Sequence, residues 1–222
     1  ALTYFSCGRF IEYLENFVSW IHAPHLMRLV VHADQSIFDV PQLSQFISRT
    51  EQLSSLPFRT SISLDIRAFD IEHHFRHPPS PQEVSCMYSW RDSWVDWQVS
   101  QVGHICAQLS PLAFSVKQLT FFVSHLPMIQ RETDPAPWLQ LLAPYNSVEE
   151  IECFGQGALC TGFACALQQS TKEMGQELLP ALRILRIRGF DSQSISLTMR
   201  FAAARRRTGR PVIVHRLDED TD

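Results

Sequence analysis

Leu182-Arg183-Ile184-Leu185-Arg186-Ile187-Arg188 is the stretch that decides how this chain is read. Leu182, Leu185 and Ile187 are apolar, and Arg183, Arg186 and Arg188 are charged. On a strand, successive side chains point to opposite faces, so this alternation gives one buried face and one wet face. The phrase apolar-x-x-apolar-x-apolar recurs as Leu26-Leu29-Val31, Val116-Leu119-Phe121 and Val148-Ile151-Cys153. The four starts lie 90, 32 and 34 residues apart. The first gap is close to three such periods, so two further units are expected inside it. One is Ile62-Leu64-Ile66, and a weaker one is Val84-Cys86-Tyr88. Val212-Ile213-Val214, after Gly209-Arg210-Pro211, reads as the last strand.

Between these strands the apolar spacing turns helical. Phe10, Leu14, Phe17 and Ile21 form one stripe, and Val95, Val99, Val102, Cys106 and Leu109 form another. Pro41 opens a short helix carrying Leu43, Phe46 and Ile47, with Asp39 as its expected cap. Trp138, Leu141, Leu142 and Tyr145 follow Pro137, and Leu159, Phe163, Ala166 and Leu167 make the next stripe. A final helix with Met199, Ala202 and Ala203 starts near Ser192 or Ser194.

Strand and helix alternating at a steady period imply parallel strands joined by right-handed crossovers. A repeat near 32 residues cannot bury its own face and must stack on neighbours. The expected fold is α/β: a leucine-rich-repeat-like βα solenoid of about six units, parallel strands on the concave face and helices outside. A doubly wound sheet would show near-continuous apolar runs, because both its faces are covered. The chain is read as one domain over residues 1–222. An irregular insertion is expected at about residues 70–90, where His73-His74-Phe75-Arg76-His77 runs into Pro78, Pro79 and Pro81.

Composition narrows the function classes. The net charge of −4 disfavours a general grip on nucleic acid. Cysteines 7, 86, 106, 153, 160 and 165 include no CxxC pair, and they read as free thiols of a cytoplasmic or nuclear protein. No stretch approaches the roughly 18 consecutive apolar residues of a membrane span, so no membrane partner is expected. The chain opens on Ala1, and it is expected to be the C-terminal part of something longer.

Four phrases carry a resemblance. They are Phe17-Val18-Ser19-Trp20-Ile21-His22-Ala23-Pro24, Phe38-Asp39-Val40-Pro41 on to Phe46 and Thr50, Pro137-Trp138-Leu139-Gln140-Leu141-Leu142-Ala143-Pro144-Tyr145, and Leu179-Pro180-Ala181-Leu182. Phe201-Ala202-Ala203-Ala204-Arg205 through Val212 fits with them. Together these phrases resemble the leucine-rich-repeat region of basidiomycete fungal F-box-like proteins, from about residue 9 to 214. The resemblance implies a substrate- or partner-recognition surface without enzyme activity. In such proteins an N-terminal F-box docks on the adaptor of a cullin-type ubiquitin ligase. No F-box helix set is read in residues 1–222, so the adaptor is an expected partner only if an F-box lies upstream.

His73 and His77 at i and i+4 would share a helical face and bind zinc, but the following prolines oppose a helix, and no metal site is expected. Cys153 and Cys165 read as core thiols, since nothing electropositive stands beside them to activate a nucleophile. Gly155-Gln156-Gly157 lacks the third glycine of a dinucleotide fingerprint and reads as a tight turn, so no cofactor is expected. Arg205, Arg206, Arg207 and Arg210 end a helix, where cations complement its dipole. Trp90, Trp94 and Trp97 would share a helical face. A small α/β hydrolase or transferase with a degenerate motif, or a scaffold with no ligand, are the alternatives. The expected partner-binding residues are those on the wet strand face: Arg28, His32, Asp65, Arg67, Thr120, Phe122, Glu150, Glu152, Phe154, Arg186 and Arg188. This surface is expected to run from acidic near Glu150 and Glu152 to basic near Arg186, and to take a protein partner or ligase substrate.

Overall fold

The alternating phrases form strands and the stripes between them form helices. The structure is a computed structural model describing residues 2–9, 11–34, 41–50, 59–64, 68–74, 83–89, 95–109, 113–114, 116–123, 134–155, 157–171 and 178–217. In chain order the elements are β1 (Tyr4–Arg9), α1 (Ile11–Trp20), β2 (Arg28–Asp34), α2 (Pro41–Arg49), β3 (Arg59–Leu64), β4 (Ala68–His74), β5 (Glu83–Ser89) and α3 (Val95–Gln108). They continue as β6 (Gln118–Val123), α4 (Ala136–Leu142), β7 (Glu150–Gly155), α5 (Ala158–Ser170), β8 (Ile184–Arg188), α6 (Ser192–Arg207) and β9 (Ile213–Arg216).

The nine strands make one sheet in the order β1-β2-β5-β4-β3-β6-β7-β8-β9. Strand β4 pairs antiparallel with both β3 and β5, and every other described pairing is parallel. Each of the six described helices lies on a crossover between parallel strands, and each of these crossovers advances in the same sense along the sheet. Right-handed crossovers that all advance one way place all their helices on one face. Burial agrees. Leu29, Val31, Ile62, Leu64, Ile71, Leu119, Phe121, Ile151, Cys153, Leu185 and Ile187 are buried and share one core with the helices. Their neighbours in β3, β7 and β8 stay partly exposed. The core is densest where Phe121 and Phe163 meet Trp138, each with its ring centroid 5.3 Å from the indole.

The expected run of evenly spaced parallel βα units is broken in the middle. Residues 68–74 and 83–89 are strands of the sheet, the second carrying Val84, Cys86 and Tyr88 as the weaker strand reading expected. Residues 75–82, where the prolines of the insertion expected at about 70–90 fall, lie outside those described. Only three residues separate β3 from β4, far too few for the dozen or more of a parallel crossover, so the chain turns back as a hairpin. The returning β4 and β5 fill the space between β3 and β2. Ile66 was read as the end of a strand; β3 ends at Leu64, and residues 65–67 lie outside those described. His73 and His74 are consecutive residues of β4, in register with Thr60 and Arg59, so His73 is not on a helix that would bring His77 to its side. His77, Trp90 and Trp94 lie outside the described residues. Strand β1 escaped the sequence reading.

Several helix ends are fixed by contacts that a linear reading passes over. Asp39 lies outside the described residues, and α2 is instead capped across space. The Glu15 carboxylate on α1 accepts from the backbone N–H of Gln42 at 2.7 Å and of Leu43 at 2.9 Å. Helix α6 has a local cap, with Asp191 Oδ1 accepting from Ser194 N at 2.7 Å. Its buried stripe is Ser194, Thr198, Phe201 and Arg205, while Met199 is 52% exposed. On α1, Phe17 is likewise exposed and stacks on Phe5, and Val18 is the buried residue. Arg205 does more than complement a dipole. It is buried, and its guanidinium donates to the carbonyls of Pro180, Leu182 and Arg210, tying the end of α6 to the segments before β8 and β9. Among the described residues no helix is long and apolar enough to cross a membrane.

Replacing Glu15 or Asp191 with Ala is expected to cost about 1 kcal/mol each, the typical value of a lost N-cap, measured by urea denaturation. Gly155→Ala is expected to cost more. Gly155 has φ 154°, and an added Cβ would lie 2.5 Å from Val123 Cβ and 2.7 Å from its carbonyl oxygen. A G155A protein as stable as the parent would refute that packing.

Candidate functional site

With the described helices on one face, no described helix covers the other face of the sheet, and strand register fixes what lies on it. One row across it reads Ser61, Thr120, Glu152, Arg186 and His215 on β3, β6, β7, β8 and β9. The row on its N-terminal side reads Arg59, Gln118, Glu150, Ile184 and Ile213. The row toward the C-terminal ends reads Ser63, Phe122, Phe154 and Arg188.

The charged groups of the first two rows neutralise one another. Arg59 Nη2 lies 3.1 Å from Glu152 Oε2 and donates to Thr120 Oγ1 at 3.2 Å. Arg186 reaches Glu152 Oε1 at 3.3 Å and also pairs with Glu150, which accepts from Gln118 Nε2 at 3.4 Å. Six residues on four adjacent strands thus form a hydrogen-bonded chain with no net charge. The expected gradient from acidic to basic is replaced by an internally paired network. Thr120, expected as a partner-binding residue, is 1% exposed and bonded to Arg59, so it supports the surface and does not present itself.

Beyond the network stands an apolar ledge. The rings of Phe122 and Phe154 stack with centroids 5.3 Å apart and planes 9° from parallel, and Phe122 is 45% exposed. Register places Arg188 next to Phe154. Two flat rings with a fixed polar chain on one side can receive an apolar or aromatic side chain and align its backbone by hydrogen bonds.

The other expected residues fall elsewhere. Arg28 and His32 are on β2, four places along the sheet from β6, roughly 19 Å at the usual strand spacing. Arg28 is exposed, with its guanidinium 5.6 Å from the centroid of the Tyr4 ring. His32 is in register with Gly8 and Met87. Asp65 and Arg67 lie outside the described residues. Arg59 was missed entirely. Its partners Thr120 and Glu152 are 61 and 93 residues away in sequence, and no local pattern announces such a reach.

The Gly155-Gln156-Gly157 turn leads into α5, whose N-cap Gly157 has φ 80° and offers no side-chain cap. Among the described residues, no group of three or more His, Cys, Asp or Glu is placed to hold a metal ion. Two of the buried thiols, Cys106 and Cys153, are held protonated. Burial pushes the Cys106 thiol up from 9.0 to about 12, against a hydrogen bond from Tyr145 at 3.2 Å that acts the other way. A hydrogen bond with Cys160, and then burial, hold Cys153 well above the ordinary thiol range. No protein-family model matches the chain, and neither a curated protein nor a solved structure matches it.

Two expectations follow from the thiols. Alkylation of the native protein mapped by mass spectrometry should favour the part-exposed Cys165 over Cys106, Cys153 and Cys160 by about tenfold or more, since reactivity requires an accessible thiolate. Because the folded Cys106 holds its proton to about pH 12 and the unfolded chain releases it near 9.0, its contribution to stability is intact below that lower value and fades as pH rises through the interval. The melting temperature of Cys106→Val should therefore fall less steeply between pH 8 and 10.5 than that of the parent, in a titration monitored by circular dichroism.

Proposed function

We propose that the chain is a non-catalytic protein-recognition module whose open sheet face takes a segment of another protein. The observation that carries this reading is the exposed Phe122–Phe154 stack set beside a neutral, internally hydrogen-bonded network. A buried aromatic anchor inside a polar surround is the usual anatomy of a protein-binding hot spot. The charged groups of the described face, Arg59 on β3, Glu150 and Glu152 on β7 and Arg186 on β8, are paired with one another. That mutual pairing favours recognition over a hydrolase or transferase.

The finer fold reading belongs to the same proposal. Helix-bearing crossovers that all advance one way, at the 32- and 34-residue spacing of the later phrases, support a leucine-rich-repeat-like solenoid interrupted by the β3–β4–β5 meander. In that reading the chain is the substrate-binding part of an F-box-like ubiquitin-ligase protein acting in the cytoplasm or nucleus. A cullin-ligase adaptor would be recruited through an F-box upstream of Ala1.

The test is affinity capture from the source cell with the full-length gene product and with residues 1–222, each as parent and as Phe122→Ala/Phe154→Ala. A shared partner should bind both parents and be lost by about tenfold or more in both variants, as for a hot spot worth upward of about 1.4 kcal/mol. The exposed ring should be removable without unfolding, which thermal melts check. A partner retained by the variants would move recognition off this face. A full-length protein that captures no ligase adaptor would end the F-box reading.

A further inference from the structure

Charge along the chain is sharply uneven. Residues 178–217 contain nine arginines, no lysine and one carboxylate, Asp191, a formal charge of +8 in a chain whose total is −4. Four of the remaining carboxylates, Asp218, Glu219, Asp220 and Asp222, follow at once, so residues 178–222 carry +4. Among the described residues this segment forms the last strands and helix of the sheet, so its positive charge is gathered at one end of that sheet.

Its arginines divide by partner. Arg186 is absorbed by Glu150 and Glu152, and Arg205 is buried against carbonyls. Arg200, Arg206, Arg207 and Arg216 are exposed and make no ion pair among the described residues. Arg200 and Arg207 lie seven residues apart on α6, two turns or about 10 Å along one side of the helix. Ile213, 58% exposed, adds apolar surface on the face of β9 turned away from α6.

The same end carries an open strand edge. Strand β9 is the last in the sheet and pairs only with β8 among the described residues. Ile213 N donates to Arg183 O and Leu217 N to Ile187 O, so residues 213 and 217 turn toward β8. The alternation of a parallel ladder then turns the backbone N–H and C=O groups of Val214 and Arg216 outward. An exposed edge of this kind pairs with another extended chain unless something blocks it.

We propose that this end of the molecule binds an acidic, extended peptide segment of a partner, added as a strand to the free edge of β9. Its carboxylates are held on the helix side by Arg216 and by the outer arginines of α6, and its apolar residues rest on Ile213 on the opposite side. Arginine favours carboxylates through its planar fork of donors. The strand edge decides between polyanions, because only a polypeptide offers the backbone groups to complete the ladder. A nucleic acid or an anionic membrane would use the charge and leave the edge unfilled. It would also approach the acidic remainder of the chain, which screening beyond about 8 Å reduces but does not remove. This surface is separate from the Phe122–Phe154 face and does not depend on it.

The probe is a fluorescein-labelled dodecapeptide alternating Glu and Val, titrated with the protein and followed by anisotropy. Binding should weaken about tenfold or more in Arg200→Glu/Arg207→Glu and also weaken at high salt, as for charge complementarity at an interface. N-methylating alternate peptide residues in the ladder register should abolish binding, while Phe122→Ala/Phe154→Ala should leave it unchanged. Melting curves establish that each variant is folded. Binding unaffected by charge reversal, or indifferent to N-methylation in both registers, would overturn the proposal. So would an RNA oligomer or phosphatidylserine vesicles that bind the same arginines when the peptide does not. Peptide binding that emerges only after Asp218, Glu219, Asp220 and Asp222 are replaced by Ser would replace the partner with the chain's own acidic residues.

Discussion

A crossover between parallel strands closes in one hand only, because a right-twisted strand feeding a right-handed helix packs back on its sheet that way. Six crossovers in this chain advance in the same sense, and none reverses. Had the strand order switched direction once, a helix would have moved to the other side and covered Phe122, Phe154 and the Arg–Glu chain. One hand repeated six times therefore produces both the core under the helices and the uncovered face opposite. The alternation within each strand follows from it: Leu185 and Ile187 meet the helices, and Arg186 and Arg188 meet water.

The uncovered face spends its charges internally. Partly exposed ion pairs of this kind contribute little to stability, with a median near zero to about 1 kcal/mol. Their effect is on shape, since Arg59 laid across Thr120 to Glu152 fixes long side chains that would otherwise sweep the surface. A partner meeting this face loses less side-chain freedom than it would against unpaired arginines, and the stacked rings stay accessible. Two kinds of surface are thereby separated: among the described residues the middle of the sheet is neutral and partly aromatic, whereas the α6–β9 end is cationic.

The sequence was most legible where strand and helix alternate locally. Leu182-Leu185-Ile187, Val148-Ile151-Cys153 and Val116-Leu119-Phe121 are each buried as read, and the stripes of α3, α4 and α5 fill the core as their spacing demands. The meander was legible only in part: Ile62-Leu64 and Val84-Cys86-Tyr88 marked β3 and β5, but the return of β4 had a distance as its cue, three residues after β3, and the alternation on to Ile66 ran the strand through that turn. Arg59 and Glu15 escaped for a common reason. Each acts on groups brought close only by the fold, Glu15 on an amide 27 residues away and Arg59 on a carboxylate 93 residues away. Charge was misread in the same way: Glu150, Glu152 and Arg186 were counted correctly, but composition does not say that they touch.

The meander also sets the order in which the molecule can assemble. Most neighbouring strands are joined by pairs close in sequence: Phe5 lies opposite Leu29, Leu119 opposite Ile151, and Leu185 opposite Val214. Its two flanks are the exceptions. Leu29 meets Val84 on one side and Ile62 meets Phe121 on the other, separations of about 55 and 59 residues. Contacts that close long loops lower the folding rate because the entropy is lost before the pairing repays it. The β6–β9 block can form from its own local pairings, as can the β1–β2 pair. Their union waits on a three-stranded keystone, itself paired locally, that must fit both at once, and this makes the β2–β5 and β3–β6 pairings the ones that contact order places last.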